Sequence, residues 1–382
     1  MSKKTKVAII GGGIVGCSVA YYLSKEVGYD ITVFERLGLL GDWETGKSVA
    51  MVMQQTGDEM LSSFAKTSLD EYGQFNDEDS NIGLKRYGSI LYTTNPQKAE
   101  EIERRIALQC ALGIETIKVS PSDIKNRIPL ASTDDIICGC YCPSDGYINC
   151  SNVVSFLHIK SEEAGVKFRL NCDVQIMNSE HEDATNPIQL IAKTSSSVDE
   201  ILQFDIVVNA CGGLAHLFAK QAGETLSISN NRRRIAVVEP RTPFNPFPIL
   251  EDIDEGSEWY IRPYDDETTV LFGEGPTINY EITEENKDDY PEIDADIKND
   301  LHEELADYMS VRMPSLEKEN LSNAWLGVRS YAEGDKPIIR YSEKIKGLIH
   351  CCGMSGFGVS IAPACGMKVV ELVKSARGYK ND

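Results

Sequence analysis

The chain has 382 residues, 42% of them hydrophobic and 25% charged. That is ordinary globular composition, which excludes disordered and fibrous classes and leaves room for two or three domains of roughly 150 residues. Asp and Glu number 59 against 38 Lys and Arg, a net charge of −21. Such a field repels phosphate backbones and argues against nucleic acid as a partner.

Lys6-Val7-Ala8-Ile9-Ile10 reads as a short buried strand. Gly11-Gly12-Gly13-Ile14-Val15-Gly16 follows, and Cys17 to Val27 reads as a helix with Val19, Ala20, Leu23 and Val27 on one face. Gly28-Tyr29-Asp30 turns the chain into a second strand, Ile31 to Glu35. The first 35 residues therefore form a βαβ unit.

The spacing Gly11-x-Gly13-x-x-Gly16 has a mechanical meaning. Gly11 permits the tight turn, Gly13 admits a pyrophosphate, and Gly16 lets helix and strand approach. The helix start offers free N–H groups to phosphate. Glu35 lies 19 residues beyond Gly16, where a carboxylate accepts hydrogen bonds from a ribose diol and repels a 2′-phosphate. A dinucleotide is predicted, and NADP is disfavoured.

The stretch Gly41 to Gly57 is irregular where a dehydrogenase of the NAD type continues with regular βα units. Between it and the next βα element, residues 86–150 alternate short strands with a charged helix, Gln97 to Leu112. Cys138, Cys140 and Cys142 alternate and so share one face of a strand. With no second cysteine hairpin, they are read as buried hydrophobes, and no metal is predicted. Phe204 to Asn209 is a buried strand running into Ala210-Cys211-Gly212-Gly213, and residues 230–280 hold Pro-punctuated strands. The acidic run Glu281 to Asp307 is read as a solvated outer helix and loop. Gly347 to Cys352 is a last strand, Gly353 to Gly358 a glycine-rich turn, and Ile361 to Val373 a helix with Pro363 in its first turn. Three distant glycine turns suit a cofactor as long as FAD.

The fold class predicted is α/β: a discontinuous Rossmann-like domain with an inserted α+β domain on a mixed or antiparallel sheet. Residues 1–80, 150–225 and 326–382 are assigned to the cofactor domain, and 81–149 and 226–325 to the substrate domain. No run reaches the ~18 apolar residues of a membrane span, and no signal-peptide pattern is present. A cytoplasmic location is expected, with peripheral association with the inner face of a membrane left open.

The N-terminal fingerprint, Thr45-Gly46-Lys47-Ser48, Asn209-Ala210-Cys211-Gly212 and Gly327-Val328-Arg329-Ser330 resemble the D-amino acid oxidase superfamily of flavoproteins. Thr45 to Ala50, Trp259 to Pro263 and Gly356 to Val359 look most like FAD-dependent D-amino acid dehydrogenases, with glycine oxidase and sarcosine oxidase or dehydrogenase close behind. The resemblance implies noncovalent FAD. It places Gly11, Gly13, Ile14, Val15 and Gly16 at the pyrophosphate, Glu35 at the ribose and Arg36 along the adenine. Thr45, Lys47, Ser48 and Val49 would meet the pyrophosphate and flavin end, and Val174 the adenine. Ala210 and Gly212 approach the cofactor, and Ser355, Gly356, Phe357, Gly358 and Val359 put N–H groups at the flavin edge. Arg329 would hold a substrate carboxylate with Tyr260, Met51 would line the pocket, and one of Arg232 to Arg234, taken as Arg234, would join them. Met51 and Thr56 stand where enzymes for basic D-amino acids carry histidine and tyrosine, which points to an apolar pocket instead.

The implied activity is oxidation of the C–N bond of a small amino acid (a D-amino acid, glycine or an N-methyl amino acid). Hydride passes to the flavin, and no catalytic residue beyond the flavin is required. The electron acceptor is oxygen, a quinone or a redox protein. Two other functions share the pattern: a flavin-binding subunit of a sarcosine or proline dehydrogenase-type complex, and an FAD-dependent oxidase of a 2-hydroxy acid or glycerol phosphate.

Overall fold

The computed structural model describes residues 4–177, 187–194, 199–254, 259–264, 267–273, 278–316 and 320–378. Its first layer is a six-stranded sheet in the order Ile338–Tyr341, Leu348–Cys352, Ile206–Asn209, Thr5–Ile10, Tyr29–Phe34 and Lys167–Arg169. All neighbours run parallel except the edge pair Ile338–Tyr341 with Leu348–Cys352. Parallel strands carry helices on both faces, which is why their apolar runs are continuous. Val7, Ile9, Val33 and Val208 are fully buried on this account.

The helix Ile14–Ser24 packs on the C-terminal helix Gly358–Gly378. Their approach depends on Gly366, where a Cβ would come within 2.8 Å of the Ser18 backbone. That C-terminal helix starts at Gly358, earlier than the sequence suggests, so Pro363 lies inside it. A proline there cannot donate to the Val359 carbonyl four residues back. The buried Tyr72 hydroxyl donates to that carbonyl instead, at 2.7 Å. The lost hydrogen bond is replaced from a neighbouring helix, Glu59–Glu78.

The second layer is a nine-stranded mixed sheet, and the two expected insert pieces share it. Ile249–Asp252 pairs parallel with Ser89–Thr93, while the other pairs are antiparallel. Its longest ladder joins Ile228–Glu239 to Asn320–Ala332 over their whole length. The expected boundary at residue 326 therefore falls inside a strand. Motif similarity grouped Gly327 to Ser330 with the C-terminal unit, but their backbone hydrogen bonds hold them to the insert.

Cys138–Cys142 is a strand of this sheet, as its alternation implied, and the Cys140 thiol donates to Gln55 Oε1 at 2.9 Å. Among the described residues, no helix is long and apolar enough to cross a membrane.

Candidate functional site

The carboxyl ends of the parallel strands face the nine-stranded sheet across one cavity of about 470 Å³. Open α/β sheets bind ligands at this edge. The three glycines divide the work there. Gly11 takes φ +107°, and a Cβ on it would overlap the Ala210 carbonyl oxygen; one on Gly16 would overlap the Gly11 carbonyl oxygen. Only Gly13 is open, facing nothing but Thr45 Oγ1 at 3.3 Å. It caps the helix without a side-chain hydrogen bond, so the N–H groups of the first turn are presented to the cavity, where Ile14 N donates to Thr45 Oγ1.

Glu35 closes the second strand with its carboxylate accepting from Gly12 N at 2.7 Å and Leu37 N at 2.9 Å. Burial pushes its pKa up, and those N–H groups pull it back. Beside it the Arg36 guanidinium lies 4.5 Å over the Trp43 ring. Arg36 Nη2 and Trp43 Nε1 are buried without a hydrogen-bond partner among the described residues, and both side chains line the cavity. An open glycine cradle, a ribose-type carboxylate and two orphaned donors fit a long dinucleotide.

The other predicted cofactor positions line the same cavity: Val15, Lys47, Ser48, Val49, Val174, Ala210, Gly212 and the loop Ser355 to Val359. Gly16 does not; it acts from behind, through helix packing. Ser355 holds φ +50°, tied by its N–H to Ser330 O and by its hydroxyl, which accepts from Ala332 N.

Sequence reasoning missed Glu44. Its carboxylate lies in the cavity wall, accepting from Ser330 Oγ at 2.5 Å and Gly213 N at 3.1 Å. It thus ties the 41–48 loop to two distant segments, and no local pattern announces that. Burial pushes its pKa up to about 6, against the pull of those two hydrogen bonds. A carboxyl raised above its unfolded value near 4.5 favours the fold while protonated. Stability is therefore lost as pH rises from about 4.5 to about 6, by on the order of 2 kcal/mol. The neutral variant Glu44→Gln removes that term. Urea unfolding of flavin-stripped protein is expected to show the wild type losing that amount relative to the variant between pH 4.5 and 7. A difference independent of pH would refute the assignment.

The acidic run is an outer loop and helix whose acidic residues are exposed, as expected, but it also makes contacts that its charge does not announce. Leu301, Leu305 and Met309 bury one side of the helix Ala295–Arg312, and the segment before it folds over the Arg36 end of the cavity. Lys287 reaches Asp173 at 3.5 Å, Asp288 pairs with Arg36 at 2.5 Å, and the Tyr290 ring stands edge-on to Trp43. The Tyr290 hydroxyl accepts from Val328 N at 2.9 Å. Charge counting along the chain describes a solvated loop; only the fold shows its partners. Asp288 is largely exposed, so its pair is worth about 0.2–1 kcal/mol. Asp288→Asn should speed release of bound cofactor by roughly 1.5- to 5-fold. Flavin fluorescence after dilution reads this, and an unchanged rate at low salt would count against a closing role.

At the opposite end, Arg329 Nη2 donates to the Tyr260 hydroxyl at 3.2 Å. The Tyr260 ring lies across Gly273 on the next strand, where any Cβ would overlap it. Gly356 packs against Arg329 less tightly, its absent Cβ 3.3 Å from Cδ. Met51, Met53, Leu91 and Ile253 form an apolar wall, with Thr56 beside them. Arg234 is not part of this end; it pairs with Glu304 at 2.5 Å on the other face of its strand. Arg233 lines the cavity in its place and donates to the Tyr331 hydroxyl at 2.9 Å. Adjacent strand residues point to opposite faces, so the register alone chooses between them.

Residues 6–372 match the family model described as FAD dependent oxidoreductase. The chain is 23% identical to mouse mitochondrial sarcosine dehydrogenase over 98% of its own length, but spans only 40% of that protein. Its fold resembles that of L-proline dehydrogenase from P. horikoshii, with TM-score 0.85, 23% identity and coverage of 98% and 94% of the two chains. L-α-glycerophosphate oxidase from Mycoplasma pneumoniae, solved with FAD bound, superposes with TM-score 0.79 at 18% identity, covering 97% of this chain and 95% of that one. With the family matched from the first strand to the last helix, and a cavity whose donors and openings fit the dinucleotide, the chain belongs to the FAD-dependent oxidoreductases, and FAD is its cofactor.

Proposed function

We propose that this chain oxidises the C–N bond of a small amino acid, D-configured or N-substituted. The observation that carries this is the Arg329–Tyr260 pair set inside the FAD cavity. A guanidinium fork binds the two oxygens of a carboxylate and so orients the α-carbon. Burial raises the cost of leaving such a cation unpaired, which favours an anionic substrate over a neutral one. The apolar wall excludes water from the reacting carbon and accepts a small side chain or N-alkyl group. Bound FAD supplies the hydride acceptor. The substrate gives up a hydride from carbon and a proton from nitrogen, and water hydrolyses the resulting imine to a carbonyl compound plus ammonia or an amine. No side chain has to act as a base if the amine enters neutral.

The test is anaerobic reduction of the purified protein by D-, L- and N-methyl amino acids, 2-hydroxy acids and glycerol phosphate. Bleaching of the flavin band near ~450 nm by an amino acid, with ammonia or amine released, supports the reading. Bleaching by hydroxy acids or glycerol phosphate alone overturns it. A second reading, carried by the sequence resemblance, is a flavin-binding subunit completed by a partner. Bound FAD that no compound bleaches until a partner is supplied would support that one.

A further inference from the structure

We propose that Glu44 binds the cofactor as a neutral acid, so that FAD enters this cavity together with one proton taken from solvent. The residue acts on the cofactor alone, whatever the substrate. It sits between two residues placed to meet the dinucleotide. Trp43 carries an orphaned donor at the Arg36 end. Thr45 faces the open Gly13 and accepts the Ile14 N–H. The Glu44 carboxylate lines the same cavity, packed so closely on the next turn that a Cβ on Gly212 would overlap Oε2. It therefore shares the wall that receives a pyrophosphate with two negative charges.

Like charges in a region of low polarity repel strongly. A cation beside Glu44 would cancel the conflict, but the groups that favour its charge are neutral dipoles. They are the Ser330 hydroxyl at 2.5 Å and the Gly213 N–H at 3.1 Å. Tyr290, from the segment over the cavity, and Cys352, at the end of its strand, also face it, and burial keeps both protonated. Arg329 precedes Ser330 but turns to Tyr260, and His216 turns to the Ile282 carbonyl. Within the loop itself, Asp42 and Lys47 line the cavity with opposite charges.

The acid form loses no partner. Gly213 N still donates to Oε2, and the Ser330 hydroxyl can accept from a protonated Oε1 instead of donating to it. Glu35 meets the cofactor differently: two backbone N–H groups hold its carboxylate, which suits it to stay charged and accept from a ribose diol. Burial alone raises the Glu44 pKa to about 6. The pyrophosphate raises it further, and near neutral pH that difference is a proton taken up on binding.

Calorimetric titration of flavin-stripped protein with FAD, in buffers of different ionisation enthalpy, counts that proton. Uptake of about 0.8 proton per FAD is expected at pH 7, for a Glu44 pKa that moves from about 6 to ~8 or above. FAD, which has no titrating group in this range, should bind at least ~30-fold more weakly at pH 8 than at pH 5.5. In Glu44→Gln the uptake should fall below ~0.2 proton and the pH dependence to within ~3-fold. At pH 8 the variant should bind FAD more tightly than the wild type, since it has no charge to neutralise. Wild-type uptake is read without any substitution, so the test stands even where the variant folds poorly. A wild type that takes up no proton would overturn the proposal. Uptake that persists in Glu44→Gln would assign the proton to another group, such as Glu35, and would overturn it too. A variant that binds FAD more weakly at pH 8 would show a charged Glu44 accepting from cofactor hydroxyls, with the same consequence.

Discussion

Arg329→Gln is expected to keep its bound flavin and lose substrate-driven reduction, with kcat/KM lower by ~10²- to 10³-fold. The guanidinium sits in the cavity wall, hydrogen-bonded to Tyr260. Removing one partner of a desolvated charge pair costs about 2–5 kcal/mol, or roughly 30- to 5,000-fold, and the expected loss lies in the middle of that span. Glutamine keeps an N–H donor but loses the charge and the fork. The split between parameters is informative. A carboxylate held equally in ground and transition states shows as KM, whereas a misplaced α-carbon shows as kcat. Single-turnover flavin bleaching separates the two. An Arg329→Gln enzyme within ~3-fold of wild type on its best amino acid would place the carboxylate elsewhere.

Two glycine substitutions are expected to fail in different ways. Gly13 has φ −74° and ψ −179°, an extended conformation that valine adopts readily. A Cβ there meets only the Thr45 hydroxyl, at 3.3 Å. Gly13→Val should therefore fold normally while its branched side chain fills the space offered to the pyrophosphate. Loss of at least ~100-fold in FAD affinity is expected, which corresponds to about 2.7 kcal/mol. Gly16→Ala inserts a methyl group into the Gly11 carbonyl oxygen, and the helix must move off the strand. Overpacking of this kind costs about 1–3 kcal/mol of fold stability. Thermal unfolding of the stripped proteins and FAD titration distinguish them. Gly13→Val with unchanged affinity would remove the pyrophosphate from this turn.

The cofactor half of the site was legible because its constraints are local. Gly11, Gly13, Gly16 and Glu35 lie within one βαβ unit of 35 residues, and each answers to a steric or hydrogen-bonding need that spacing alone expresses. Resemblance extended this to Arg329, Tyr260 and the Ser355 to Val359 loop, all of which reach the cavity. The two-domain plan with a mixed inserted sheet was legible too, from the buried strands and their glycine turns.

What remained depended on pairing between distant segments. Arg232-Arg233-Arg234 offers three guanidiniums on alternating faces, and which of them meets Arg329 is set by register with a strand about ninety residues away. Glu44 gains its raised pKa only when the fold buries it, and the Ser330 and Gly213 groups that pull that pKa back come from distant segments. Lys287 to Tyr290 counts as a solvated stretch until Arg36, Trp43 and Asp173 face it. The sequence by itself determined the cofactor class and the glycine turn that opens on the cavity, because close approach of backbone to a phosphate tolerates few residues at few spacings. The tertiary structure decided which charges share the Arg329 end of the cavity, because Coulomb interactions follow distance and burial, and neither is written along the chain.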